Sequence, residues 1–346
     1  MKKFTIKLVF VSLIILMPAG YYHYFVVNNE SGDIGKLGMI PFGDEYDGLD
    51  VAWYNRDSIA NATVVNVYDK DSLKMFPIIT IGDSFSQFQN NGYQFSLSSK
   101  AGVPVANFKT PYYLEGPNCL MALINEGILN EGQTVIVESV ERSLIRRFYK
   151  VDTLSRFKNE AKLVNDFKEN ENNGPFLNRY LSWIRLKLNY KNPITHYSLT
   201  KDCFSHPRFS NTLHVYNNIK GGDGDLLWQN LSEDEFERAR RNMEKVIDIA
   251  AKNGINIIIL IATDKYDAYD PWISTNHLEN PTLCKIPVDI RIFDTRPVLR
   301  SAIERGIKDV YKLNNTHWPV VGADIIGDSI YETLDSLGYL PTNNVL

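Results

Sequence analysis

The chain has few cysteines. Its 346 residues contain three, at Cys119, Cys203 and Cys284. That number excludes a disulfide-dense scaffold, so the fold must rest on a hydrophobic core. One bridge is open to the trio in an oxidising compartment, Cys203 with Cys284 before the other pairings, and sequence alone assigns none. A basic excess is also missing. A formal net charge of -4 and a pI near 5.9 leave no electrostatic footprint for a phosphate backbone, which excludes nucleic acid as a partner. Internal repeats and low-complexity tracts are absent too, so arrays and solenoids drop out.

Acidic residues are absent before Glu30, where Lys2, Lys3 and Lys7 precede the apolar run "LVFVSLIILMPAG" and its continuation "YYHYFVV" to Val27. A basic flank ahead of an apolar segment marks an export signal or a single membrane anchor. No clear A-x-A site follows, and the segment approaches the ~20 residues of a spanning helix. Residues 1–27 therefore read as a signal anchor in preference to a cleaved signal peptide. Lysines stay on the cytoplasmic side, which places the rest in the periplasm or cell envelope, anchored in the inner membrane.

Apolar residues are plentiful, at 44% with 12% aromatic, enough for one large or two modest domains. Residues 28–75 are polar and read as a linker with peripheral elements. From Phe76 the pattern changes. Short β-rich runs occur at "PIITIG" (77–82), "VPVANF" (103–108), "TVIVESV" (134–140) and "INIIILIAT" (255–263), with segments of helical length between the first three. Strands apolar at nearly every position and separated by helices predict a three-layer α/β/α, doubly wound parallel sheet. "LSEDEFERARRNMEKVIDIAAKNG" predicts a helix. Ser232 and Glu235 form a capping box, Phe236, Met243, Val246, Ile247 and Ala250 share a face, and Asn253-Gly254 supply the stop. "VYKL" (310–313) reads as a strand end. Residues 150–230 break the alternation and read as a largely helical insertion, with an amphipathic helix through Leu177, Leu181, Ile184 and Leu188.

Gly-Asp-Ser occurs twice, at Gly82-Asp83-Ser84 and Gly327-Asp328-Ser329. The second copy lies in "ADIIGDSIYETLDSL", where Ile326, Ile330, Leu334 and Leu337 follow helical spacing, so Ser329 is a helix-interior serine of no special geometry. Ser84 directly follows the strand "IITI". A strand-to-helix turn exposes a side chain at the carboxyl edge of a parallel sheet, where ligands of open α/β folds bind. Gly82 permits a tight turn there, and the Ser84 N–H with the following helix start can face an oxyanion. The competing role for Ser84 is that of a simple N-cap. A serine nucleophile needs a base. His23 lies in the anchor, and of His196, His206, His214, His277 and His317 only the last sits in a loop destined for the same sheet edge.

"IGDSF" together with "THWPVVGADIIGDSI" resembles the SGNH-hydrolase-like domain of the alginate O-acetyltransferase family, in which a GDSF serine works with the histidine of a D-x-H-W motif followed by a glycine and a helix. "VIVESVERSL" (135–144) and "ATDKYDAYDPW" (262–272) are similar to that family's Glu/Arg-rich and Lys/Tyr-containing segments, in the order of an unpermuted domain spanning about 76–338. The resemblance implies an acyltransferase domain over 76–346, with Ser84 and His317 catalytic and Asn315 where the family carries aspartate. An amide can orient an imidazole but cannot stabilise its charged form; Asp83 and Asp324 are open as substitutes. Gly82, Asp83, Asn107 and Trp318 are the implied oxyanion and pocket residues, with Gly116 a second candidate donor beside Asn107. Glu138, Glu141, Arg142, Lys265 and Tyr266 are the candidates for substrate contact, against ordinary ion pairs and hydrogen bonds.

The implied chemistry needs no cofactor and no metal. Acetyl passes through Ser84 to a sugar hydroxyl of a polysaccharide acceptor, and the acetyl donor arrives through a membrane-bound O-acyltransferase partner. Water as acceptor would make the protein an acetyl esterase, and a polysaccharide-binding or assembly component on the same fold is the non-catalytic alternative. His196, Cys203, His206 and His214 include a C-x-x-H spacing, but their spacings match no standard zinc template.

Overall fold

Side chains that are apolar at every position along a strand need cover on both faces. The four predicted runs of this kind all join one sheet. The computed structural model describes residues 4–7, 10–13, 17–18, 62–87, 92–110, 114–157, 194–206, 209–218, 223–224, 231–274, 286, 289–313 and 315–341. The sheet contains β1 (Val64–Val67), β2 (Ile78–Ile81), β3 (Val105–Phe108), β4 (Thr134–Val140), β8 (Asn256–Ala262) and β9 (Ile292–Asp294), in the order β1-β3-β2-β4-β8-β9. Every neighbouring pair is parallel. The spine is the β4–β8 pair, in register from Thr134↔Asn256 to Val140↔Ala262.

Helices cover both faces. In chain order they are α1 (Ser84–Gln87), α2 (Gln94–Ala101), α3 (Gly116–Asn125), α4 (Glu141–Tyr149), α5 (Glu233–Lys252), α6 (Lys265–Tyr269), α7 (Arg296–Glu304) and α8 (Val320–Leu337). Successive strand residues point to opposite faces, so Ile78, Ile136, Ile258 and Leu260 pack with Leu97 of α2, Leu299 of α7 and Ile326 and Ile330 of α8. Ile79, Val135, Ile257 and Ile259 pack on the other side with Leu120 of α3, Leu144 of α4 and Phe236 and Val246 of α5. The predicted capping box of α5 is formed: Ser232 Oγ accepts from the Glu235 N–H, and Glu235 accepts from the Ser232 N–H at 2.8 Å. From β2 the chain crosses to β3 on one side, then to β4 on the other. The carboxyl ends of β2 and β4 therefore flank a reversal point, where a crevice opens in sheets of this topology.

Several expectations are corrected. Within residues 28–75, read as a linker with peripheral elements, Val64–Val67 forms β1, the edge strand beside β3. "VYKL" is not a strand end. Val310–Leu313 is buried irregular chain whose Tyr311 N–H donates to the Tyr269 hydroxyl at 3.3 Å and whose Lys312 N–H donates to His317 O at 3.2 Å, so its backbone serves a loop instead of a ladder. The last strand is β9, three residues long. The described part of the insertion is β-structure: β5 (Ile194–Ser198), β6 (Thr212–Asn218) and β7 (Asp223–Gly224) form an antiparallel sheet. The β-branched and aromatic residues of "ITHYS" and "TLHVY" favour that outcome. The helix expected through Leu177–Leu188 lies outside the described residues, as does most of residues 1–61. Among the described residues no helix is long and apolar enough to cross a membrane. Cys119 and Cys203 are free and buried, so Cys203 is not bridged; Cys284 lies outside the described residues.

The second Gly-Asp-Ser serves packing. Gly327 brings α8 against α2, where an added methyl group would sit 2.8 Å from Ser96 Cβ and also run into Tyr93 O. Asp328 accepts from Ser96 Oγ and pairs with Lys100 at 2.9 Å. Gly→Ala in a helix interior ordinarily stabilises by roughly 1 kcal/mol; here overpacking reverses the sign. Gly327→Ala is expected to destabilise by about 1–3 kcal/mol, whereas Ser329→Ala stays within about 0.5 kcal/mol of wild type. Thermal denaturation of the two variants checks this, and equal melting temperatures would refute the close-approach role.

Candidate active site

The turn that carries Ser84 is built from β2 outward. After Ile81 the chain passes Gly82 and Asp83 and starts α1 at Ser84, which is exposed to solvent. Gly82 is required by space and not, as the sequence implied, by turn geometry: its φ is not positive, and a methyl group there would lie 2.8 Å from Glu138 Cβ. The Asp83 N–H donates to Glu138 Oε2 at 2.9 Å, and Ser86 Oγ donates to the same oxygen at 3.0 Å. Asp83 Oδ2 accepts from the Val140 N–H at 3.0 Å and from Arg147 Nη1 at 2.6 Å. Together these bonds tie the turn to the carboxyl end of β4. They leave the Ser84 N–H without a hydrogen-bond partner among the described residues.

His317 comes to this turn from the other end of the chain. Its Nε2 lies 2.6 Å from Ser84 Oγ, and its Nδ1 lies 2.6 Å from Asn315 Oδ1. The arrangement fixes the tautomer. Asn315 Oδ1 also accepts from the His317 backbone N–H at 3.1 Å. A backbone N–H can only donate, so the amide atom facing it is the oxygen. Nδ1 must then carry the proton, and Nε2 is left as a lone-pair acceptor aimed at the serine hydroxyl. The Phe85 ring flanks the imidazole at 4.8 Å and Trp318 at 4.5 Å. The glycine that follows the histidine also has a steric cause, since a methyl group at Gly322 would meet Val310 O and press 3.2 Å from Trp318 Cβ.

The structure thus brings Ser84, His317 and Asn315 together: Asn315 Oδ1 lies 2.6 Å from Nδ1, with Thr316 Oγ1 more distant at 3.4 Å. Asp83 is held by Arg147, and Asp324 lies on α8. Trp318 is buried behind His317, against Phe85. Asn107 is placed elsewhere than expected. It is buried inside the sheet, its Nδ2 donates to Asn66 Oδ1 at 2.9 Å, and its Oδ1 accepts from Thr80 Oγ1 at 3.3 Å, so its amide is used internally. Gly116, which begins α3, lies against the ends of β2 and β4, with a Cβ there 3.4 Å from Val137 and 4.0 Å from Ile81.

Of the five expected substrate contacts, Glu138, Glu141, Lys265 and Tyr266 are buried and Arg142 is partly buried. Glu138, Lys265 and Tyr266 are fully buried. Glu141 pairs with Arg296 and accepts from the Asp264 N–H at 3.1 Å, while Arg142 pairs with Asp264. Lys265 Nζ donates to Lys312 O at 2.7 Å and Leu313 O at 2.9 Å. Charged residues in an amphipathic pattern look surface-bound in a sequence; here partners on turns, helices and loops distant in the chain draw them inward. Arg147 escaped the sequence reading, although it lies within the same "VERSLIRRF" segment as Glu141 and Arg142.

Burial dominates the titration of these groups. It pushes the Glu138 carboxyl well above the usual carboxylate range, and the neighbouring Asp83 charge adds to the rise. Glu138 Oε1 is buried with no hydrogen-bond partner. Burial opposes the charge on Asp83 as well, but the Arg147 guanidinium and the Val140 N–H hold it below the usual range. Burial raises Glu141 to about 8 against the pull of Arg296.

Among the described residues, His196, Cys203, His206 and His214 are not grouped as metal ligands. Among the described residues, the metal-competent cluster is Glu141, Asp264 and Asp267, with ligand atoms within 4.8 Å of one another; Arg142 and Arg296 already engage the first two. His196 and His214 bond each other, Nδ1 to Nδ1, at 2.6 Å across β5 and β6. His214 is depressed to about 3, by burial first and the Lys265 charge second.

No protein-family model matches the chain, and neither do any curated protein or solved structure.

Because burial raises the Glu138 pKa in the folded chain above its unfolded value, its contribution to stability is full below about pH 4.3 and is lost as pH rises toward the folded value. Glu138→Gln removes that slope. Denaturant midpoints measured across this range are expected to fall with pH more steeply for wild type than for the variant, and parallel curves would rule the proton out.

Proposed function

We propose that this protein is a serine acyltransferase in which Ser84 is the nucleophile, His317 the general base and Asn315 the orienting group. The observation that carries the reading is the serine–imidazole–amide line, 2.6 Å at each contact, with the serine open to solvent. Contacts of this length between nucleophile, base and orienter are what covalent acyl transfer requires. His317 Nε2 takes the Ser84 proton as Oγ attacks the carbonyl carbon of an acetyl ester. The C–O bond to the leaving alcohol breaks as His317 returns that proton to it, leaving acetyl-serine. An acceptor hydroxyl then gives its proton to Nε2 and attacks the acetyl carbon; the bond from that carbon to Ser84 Oγ breaks as His317 returns the proton to Oγ, restoring the serine. The unpartnered Ser84 N–H is one donor for the oxyanion.

The resemblance of the two motifs to the alginate O-acetyltransferase family supports a finer reading: an SGNH-like fold, a polysaccharide hydroxyl as acceptor, and an acetyl donor supplied by a membrane-bound O-acyltransferase. The basic-then-apolar N-terminus supports an anchor in the inner membrane with the domain outside the cytoplasm. With water as acceptor the same residues make an acetyl esterase. One observation favours a second reading. An amide at position 315 does not stabilise an imidazolium as a carboxylate would, which favours a polysaccharide-binding component that keeps the fold without turnover.

The test uses purified full-length protein in detergent with a chromogenic acetyl ester, with and without oligosaccharide acceptors. Ser84→Ala and His317→Ala are each expected to lower kcat/KM by about 10³-fold or more. Activity that survives Ser84→Ala overturns the mechanism, and an inert wild type that retains glycan affinity favours the binding component. Asn315→Asp supplies a charge-assisted bond to the imidazolium, about twice as strong as a neutral one. It is expected to raise kcat about tenfold, equivalent to ~1.4 kcal/mol, and an unchanged or lower rate would show that the site does not use the amide as a weaker carboxylate.

A further inference from the structure

We infer that Lys265 is the positioning residue of the His317 loop, a role that rests on the acyl-transfer reading of Ser84 and His317. Lys265 opens α6 at the carboxyl end of β8 and is completely buried. Its ammonium group donates to the carbonyls of Lys312 and Leu313 at 2.7 and 2.9 Å and lies 5.4 Å from the centre of the Phe204 ring. Residue 312 is the node of the loop. Its carbonyl accepts both Lys265 Nζ and the Asn315 N–H, the latter at 3.4 Å, and its own N–H closes the loop onto His317 O at 3.2 Å. The next bond in the chain is Asn315 Oδ1 to His317 Nδ1. A single buried ammonium thus connects, through one backbone residue, to the group that orients the imidazole.

The physical case rests on what an irregular buried loop lacks. Residues 310–313 have no strand ladder on which to satisfy their carbonyls, and buried carbonyls without donors are costly. A neutral apolar side chain would fill the same volume without the expense of burying a charge. A lysine gives three rotatable donors from one point, which suits two carbonyls on consecutive residues. The insertion contributes directly, since Phe204 supplies the ring face that accepts the cation. Asp309, the one described non-glycine residue with positive φ (58°), clamps the same two segments together: its N–H donates to Cys203 O at 2.8 Å, and its carboxylate accepts from the Ser205 N–H at 3.0 Å and from Ser205 Oγ. The insertion is therefore part of the footing of the His317 loop.

Lys265→Met keeps the length and removes the donors. Misplacement of a catalytic group by about 1 Å costs on the order of 10²-fold in rate, so kcat should fall by about that factor with KM within about twofold. Lys265→Arg, which keeps donors, should recover at least part of the loss. In parallel, the low-field proton resonance of His317 Nδ1–H, expected in wild type from its bond to Asn315, should vanish or broaden in Lys265→Met. A folded Met variant with kcat within about threefold of wild type, or with that resonance intact, overturns the proposal. Should Lys265→Met fail to fold, Phe204→Leu is the milder variant: a several-fold fall in kcat at constant KM with a broadened resonance supports the role, and no change in either overturns it. The resonance does not depend on turnover. Its loss in Lys265→Met from an enzymatically inert wild type would sustain the positioning role while removing the acyl-transfer reading.

Discussion

The bond between Asn315 Oδ1 and His317 Nδ1 is the constraint on which the site depends. Without it the imidazole could carry its proton on either nitrogen and turn about its side-chain bonds. With it, one nitrogen is committed as donor and the other is presented to Ser84 as acceptor. The same oxygen takes the His317 backbone N–H, so the amide is locked by a group that cannot switch roles. A carboxylate would do this and add charge. The amide supplies the geometry alone, so under the proposed acyl-transfer reading an imidazolium at His317 would be stabilised by solvent and by whatever approaches the open serine. The orienting and the electrostatic parts of a triad, usually delivered by one residue, are here separated.

That geometry is held from two sides by different chemistry. On the serine side, the turn is clamped by carboxyl groups: Asp83 receives three donors, one of them a guanidinium, and Glu138 beneath it, its pKa raised by burial, receives two more. Two carboxylates so close cannot both be ionised cheaply, and Arg147 decides which one is. On the histidine side the loop is held by an ammonium on carbonyls. The polar layer continues through the sheet, where Asn66, Asn107 and Thr80 bond one another on neighbouring strands and Gln94 reaches both Thr80 and Ser86. A buried polar network of this kind admits few alternative packings, which suits a turn that must present one hydroxyl in one direction.

Much of this was legible in the sequence, for identifiable reasons. β2, β4 and β8 are rich in β-branched residues, β3 is a short, largely apolar run between helices, and α5 announces both its ends. Ser84 could be told from Ser329 because one follows a strand and the other lies within a helical repeat. His317 was found through loop placement and motif resemblance together. The failures share a cause. β1 and β9 are short, and their identity as strands comes from the neighbour that accepts them. Val310–Leu313 is as apolar and β-prone as a strand, yet its backbone partners are a tyrosine hydroxyl and the His317 carbonyl. Glu138, Glu141, Lys265 and Asn107 were placed at the surface or in the pocket because a local sequence does not display the partner that will bury a charge or an amide. Glycines misled in the same way: Gly82, Gly322 and Gly327 suggested turns and motifs, and each is explained by a Cβ that would collide with a segment far along the chain.

These close approaches also explain why two ends of the chain meet with sub-ångström demands. Ser84 and His317 are separated by 233 residues, and no local element spans them. What sets their distance is a stack of contacts without slack. Gly327 seats α8 on α2, Gly322 seats the start of α8 on Val310, and Gly82 seats the nucleophile turn on Glu138. In each case the missing side chain removes a spacer of one methyl group, and packed interiors transmit such a change where a loop would absorb it. A methyl group at any of the three would therefore move Ser84 or His317 by an amount comparable to the tolerance of their contact itself. The glycines belong to the site as much as the groups that touch one another, although none faces the solvent-exposed serine.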